Sequence, residues 1–164
     1  MILMRKNSKN SHEISGLLSV GSRFEGMIRF DGTLRIDGLV CGQIVCGSDK
    51  ASKVIITEMA EVEADIVADI VIISGRVSGN VKAVEKLEII SPGRLEGLVY
   101  TSDFSIEDGA LFQGECIMIR HMSPADKKSL KNEGFYNIHH HQLPSNTHQP
   151  AIQDHSAEST IIEI

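Results

Sequence analysis

Three kinds of side chain in this sequence are equipped for chemistry, and the spacing of each argues against its use. Cys41 and Cys46 have four residues between them, and Cys116 lies far downstream. Zinc sites pair their ligands more tightly and add a second pair or histidines, so these thiols read as packing residues. No histidine lies between residues 19 and 120, and six of the seven fall after residue 120. That removes the commonest general base from the body of the chain, and with it any Ser-His or Cys-His nucleophile pair. His139-His140-His141, with His148 and His155, has the donors to chelate a transition metal. They sit in a polar tail with no element to fix a geometry, and they read as composition. Asp31, Asp37, Glu61, Glu63 and Asp65 are scattered at outward strand positions, where carboxylates solvate a face. No glycine-rich phosphate loop ending in Gly-Lys-Ser/Thr occurs either. The sequence offers no catalytic, cofactor or metal site.

What, then, do these residues decorate? The chain has 164 residues, enough for one domain. Its formal charge of −6 argues against a nucleic-acid backbone as partner. Aromatics make up 4% and Trp is absent, which excludes a stacking platform. An odd number of cysteines, 3, does not suit a disulfide-stapled secreted scaffold. No apolar run reaches the ~20 residues of a membrane span, and no signal-peptide core opens the chain. A cytoplasmic location is the expectation.

Composition divides the chain into three. Residues 1–16 form a short arm expected to be disordered, residues 17–120 a β-rich domain, and residues 121–164 a His-rich tail expected to be disordered. The domain repeats a five-residue phrase: apolar, any, small, any, apolar. It appears as Phe24-Glu25-Gly26-Met27-Ile28, Val40-Cys41-Gly42-Gln43-Ile44 and Val62-Glu63-Ala64-Asp65-Ile66. It returns as Val77-Ser78-Gly79-Asn80-Val81, Leu95-Glu96-Gly97-Leu98-Val99 and Phe112-Gln113-Gly114-Glu115-Cys116. The small residues Gly26, Gly42, Ala64, Gly79, Gly97 and Gly114 mark the structural repeat.

A second phrase precedes most copies: Leu34-x-Ile36, Val54-Ile55-Ile56, Ile70-x-Ile72, Leu87-x-Ile89 and Phe104-x-Ile106. Period-two alternation of branched residues means strands with one face buried. Two short strands per repeat of about 17 residues make one coil of a β-solenoid. About six coils stacked at the ~4.8 Å strand spacing give a rod of roughly 29 Å. Glycine falls where the chain bends, so Ala64 marks a bend reachable with a Cβ or slightly strained. The stretch Cys46–Lys53 reads as a loop extruded from the stack, and Ile72 as an inward residue inside it. A left-handed β-helix of six-residue units is the competing fold. Ile28, Leu34, Val40 and Cys46 keep that spacing, but Ser78 and Glu96 fall where it needs apolar residues.

Arg35-Ile36-Asp37-Gly38 leading into Gly42-x-Ile44, the run Ile73-Ser74-Gly75-Arg76-Val77-Ser78-Gly79-Asn80-Val81, and Ile106-Glu107-Asp108-Gly109-Ala110-Leu111-Phe112-Gln113-Gly114 together resemble the bactofilins. The resemblance covers roughly residues 17–120. It implies an all-β, right-handed parallel β-helix that assembles end to end into filaments without nucleotide or other cofactor. It also implies a scaffold at the cytoplasmic face of the bacterial membrane, supporting cell shape and localising cell-wall enzymes or their membrane regulators.

Polymerisation is expected on physical grounds too, since a solenoid has two open ends with unpaired strand edges and a slice of core. A helix with start and stop signals runs from Ser123-Pro124-Ala125-Asp126 to Gly134, but Ala125 and Leu130 alone cannot cover an end coil. Ile14, Leu17, Leu18 and Val20 cover the other end only in part. Phe104, Phe112, Ile117 and Ile119 on the last coil are the expected polymerisation interface, with self as partner. Met1, Ile2, Leu3 and Met4 followed by Arg5 and Lys6 suit an anionic bilayer surface as a membrane-targeting arm. The alternative class is a β-helix enzyme, an acyltransferase or one acting on polysaccharide. Such an enzyme should carry histidine or a carboxylate cluster in an extruded loop, and the long loop here has one Asp and two Lys.

Overall fold

The computed structural model of the chain describes residues 14–47, 51–119 and 123–132. Eleven strands and one helix follow in order: β1 (Ile14–Leu18), β2 (Arg23–Phe30), β3 (Thr33–Ile36), β4 (Leu39–Cys46), β5 (Lys53–Ile56) and β6 (Glu61–Ile73). Then come β7 (Arg76–Ser78), β8 (Val81–Ile89), β9 (Arg94–Thr101), β10 (Phe104–Ile106), β11 (Leu111–Met118) and α1 (Pro124–Asn132). Every pairing is parallel, and the strands fall into two ladders. One runs β1, β3, β5, the end of β6, the end of β8, β10. The other runs β2, β4, the start of β6, β7 together with the start of β8, β9, β11. Each coil contributes one rung to each ladder, so the chain winds about six times into a β-solenoid.

The register lines like side chains into columns. In one ladder Leu18, Ile36, Ile56, Ile73, Ile89 and Ile106 stack in sequence. In the other, Phe24, Val40, Val62, Val77, Leu95 and Phe112 do so, as do Ile28, Ile44, Ile66, Val81, Val99 and Cys116. The inner members of these columns are almost wholly buried. Each such side chain contributes ~1.5–3 kcal/mol of transfer free energy, which makes the stack, rather than any one coil, the cooperative unit.

The repeat's small residues also form one column. Gly26, Gly42 and Ala64 are in register, and so are Gly97 and Gly114. A Cβ on Gly42, Gly79, Gly97 or Gly114 would run into the carbonyl of the small residue one coil below. These four also take positive φ, between 131° and 148°, where a side chain is strained. Two constraints thus select glycine at once. Ala64 escapes both, since no residue other than glycine has positive φ among the described residues, and β6 runs through it unbroken.

Three expectations need correction. Ile72 does not point inward: Val71 and Ile73 are fully buried while Ile72 is half-buried. Val71 pairs with Val54 and Leu87, both core residues, which sets the face. The stretch Cys46–Lys53 is not wholly extruded. Residues 48–50 lie outside the described residues, but Ser52 is 2% exposed and bonds to Asp69 through both its amide and its hydroxyl, each 2.8 Å. Finally, α1 lies inside the tail expected to be disordered. It docks on the side of the solenoid, where Leu130 joins Val84, Tyr100 and Ile119 in a second apolar cluster. The remainder of residues 1–16 and 121–164 lies outside the described residues, apart from Ile14–Gly16 and Ser123.

Candidate assembly faces

The two end coils differ from the four between them. At the first, Leu18, Phe24 and Ile28 pack on the core but remain partly open. Leu17 and Met27 beside them are more than half exposed. At the last, Phe104, Ala110, Phe112 and Cys116 occupy the equivalent half-covered positions. The rings of Phe104 and Phe112 meet edge to face, centroids 5.3 Å apart, a favoured aromatic geometry. Ile106 is 48% exposed although its column partner Ile89 is fully buried. The outer edges of β1, β2, β10 and β11 carry no strand partner among the described residues. Both faces combine apolar side chains with free backbone donors and acceptors, the two things a further β-coil would satisfy.

The four residues expected at the interface do not stay together. Phe104 and Phe112 lie on the end face. Ile117 leans against the lateral cluster, and Ile119, only 2% exposed, is covered by α1. Ile119 is therefore corrected from end to side: its amide still bonds the Thr101 carbonyl of the coil below, but its side chain packs in the lateral cluster with Leu130. Two sequence signals mark that covered side. Val81-Lys82-Ala83-Val84 and Leu98-Val99-Tyr100 break the alternation with apolar residues on both faces, as strands covered on both faces do. The membrane-targeting residues Met1–Lys6 lie outside the described residues.

Polar chemistry on the rod is structural. Asp37, between β3 and β4, accepts from the Arg35 guanidinium at 2.9 Å and the Thr57 hydroxyl at 2.7 Å, clasping neighbouring coils. The Arg35 bond holds its carboxyl below the usual range against the opposing effect of burial, with Thr57 helping. Burial pushes the Cys116 thiol up, which keeps it protonated. Cys41 sits 4.0 Å from Glu63, and all three cysteines are free. No group of three or more metal-ligating side chains occurs among the described residues. None of the described helices is long and apolar enough to cross a membrane.

A parallel solenoid with two open apolar ends is an architecture suited to polymers. The family model for bactofilins, described as polymer-forming cytoskeletal, matches residues 16–117, and the chain belongs to that family. Among solved structures it is similar to the cytoskeletal bactofilin BacA, determined by solid-state NMR, at 27% identity. That match covers 64% of this chain and 97% of that one, with a TM-score of 0.56. Comparison with curated proteins gives no match.

Proposed function

We propose that the chain assembles end to end, without nucleotide, into filaments that serve as a scaffold at the inner face of the bacterial membrane. The observation that carries this reading is the contrast between buried inner columns and half-open members at both ends, above all Phe104 and Phe112. Stacking an end face on another copy removes that apolar surface from water and pairs the free strand edges. Attachment is assigned to the arm Met1–Lys6, and the partners are cell-wall enzymes or their membrane regulators. The role is structural rather than catalytic, in line with a family described as polymer-forming.

The test is sedimentation and negative-stain microscopy of purified protein in buffer without ATP or GTP. Polymer is expected, and Phe112→Arg should give a β-rich monomer or dimer, because it places a charge in a buried contact. A strict monomer of the wild type at micromolar concentration overturns the reading. Intact Phe112→Arg filaments would move the contact away from this face.

A further inference from the structure

The last rung of one ladder is built like the rungs beneath it but has nothing above it. β10 pairs with β8 alone among the described residues. Glu107 donates its amide to the Ile89 carbonyl, so by strand alternation the Ile106 amide points away from β8, to the open edge. Two apolar columns stop there, one at Phe104 above Leu87 and one at Ile106 above Ile89. Ile89 is fully buried and Ile106 is half exposed. That end lacks one more rung with an apolar residue in each column, and an open strand edge takes an added strand readily.

The tail sequence carries such a rung. Ile162-Glu163-Ile164 repeats the form of Leu34-Arg35-Ile36 on β3 and Leu87-Glu88-Ile89 on β8: apolar, charged, isoleucine. Placed in register over β10, Ile162 falls on Phe104, Glu163 on Ser105 and Ile164 on Ile106. Ser105 is exposed and separates Glu163 from Glu88, so like charges do not come face to face. The other open edge fits less well, because β1 offers Gly16 where β10 offers Phe104. About thirty residues separate Asn132, where α1 ends, from Ile162. At ~3.3 Å per residue they span up to ~100 Å, several times the rod, and the closure cost grows only slowly with such a length.

We propose that Ile162-Glu163-Ile164 docks on the outer edge of β10 of its own chain as a seventh rung of that ladder, and that filament assembly must displace it. The segment pairs the free backbone groups of β10 and covers Phe104 and Ile106, the surface that an incoming copy needs. Being tethered, it competes at a fixed effective concentration. A second copy brings a whole coil and covers Phe112 as well, so it wins once protein concentration is high enough. Polymer therefore appears only above a threshold that the tail sets. The threshold rests on the end-to-end reading above; the docking does not.

The test locks the rung in place. Adjacent rungs lie ~4.8 Å apart, inside the ~4.4–6.8 Å Cα separation that a disulfide needs. The full chain with Ser105→Cys and Glu163→Cys is oxidised as it refolds by dilution from guanidinium, before end faces meet. Peptide mass mapping should find the 105–163 link within one chain at least tenfold more often than the 105–160 link of Ser105→Cys with Thr160→Cys. The locked protein should sediment at least threefold less polymer than the same sample after reduction. Ile162→Lys with Ile164→Lys leaves the solenoid untouched and should let polymer appear at a concentration at least threefold below that of the wild type. The docking is overturned by no preference for 163, by a link between two chains, or by an equal link from Asn137→Cys in the similar phrase Tyr136-Asn137-Ile138. Equal sedimentation of locked and reduced protein, or an unchanged threshold in the Ile162→Lys, Ile164→Lys variant, overturns the competition. A wild type that forms no polymer while the 105–163 link forms counts against end-to-end assembly instead.

Discussion

Two glycines in the same column separate the demands that the bend makes on a residue. Gly97 has φ of +145°, and a Cβ there would strike the Gly79 carbonyl. Gly26 has φ of +132°, yet its nearest neighbour would be the Phe24 ring at 3.8 Å. Gly26→Ala should therefore cost only backbone strain, ~1–3 kcal/mol, and Gly97→Ala should cost more, through the added clash. Thermal melts followed by circular dichroism check the order, and equal losses would mean that φ alone selects glycine. Asp37 gives a pH signature. Its folded pKa lies below the ordinary 3.8, so its contribution is present above that value and is lost as pH falls through the lower folded value. The melting temperature should drop on acidification below about pH 4, and Asp37→Asn should flatten that drop.

Strands and bends were legible in the sequence because each coil repeats the same local problem. Six small residues at similar intervals mark six bends, and flanking branched residues mark the rungs. Phase was lost where alternation was lost: Ile70-Val71-Ile72-Ile73 is apolar throughout, and only pairing with Val54 and Leu87 shows which residues face in. The docking of the helix on the lateral side was illegible for another reason. The helix itself has clear start signals, but its partners Asp69 and Lys82 lie 62 and 48 residues away, and no local pattern encodes that distance.

The docked helix should also respond to alkali. Burial disfavours the Lys131 charge, but Asp69 and Cys46 together more than offset it and the pKa ends above 10.5. The Tyr100 phenol is raised above 10.0 by burial, with Glu115 adding to it. Both contributions are present below the ordinary values and lost as pH rises through the folded ones, so α1 should loosen above about pH 10. In a Tyr136→Phe background Tyr100 is the remaining tyrosine of the two. Its absorbance titration should lie above the ordinary range and move down in Leu130→Ser. No movement would mean that α1 does not cover the phenol.

For the whole molecule the proposed function divides the labour between rod and arm. On that reading a single arm, with few apolar residues, would bind a bilayer weakly, and a filament presenting one per copy would gain by avidity. Deleting Met1–Lys6 should release filaments from anionic liposomes in a co-sedimentation assay without dissolving them. Equal sedimentation with liposomes would assign attachment to the rod.

The parallel ladders have a consequence for how an aligned sample scatters X-rays. Strands lie across the rod and their hydrogen bonds run along it, the same relation that defines cross-β fibres. Oriented filaments should give a meridional reflection near ~4.8 Å. If the joint between copies keeps the rung spacing, that reflection stays sharp, because diffraction then averages over one uninterrupted lattice. If the joint opens or offsets the spacing, the meridian acquires satellites at the subunit repeat. Fibre diffraction thus reads the junction's geometry from outside, with no atom of the interface resolved.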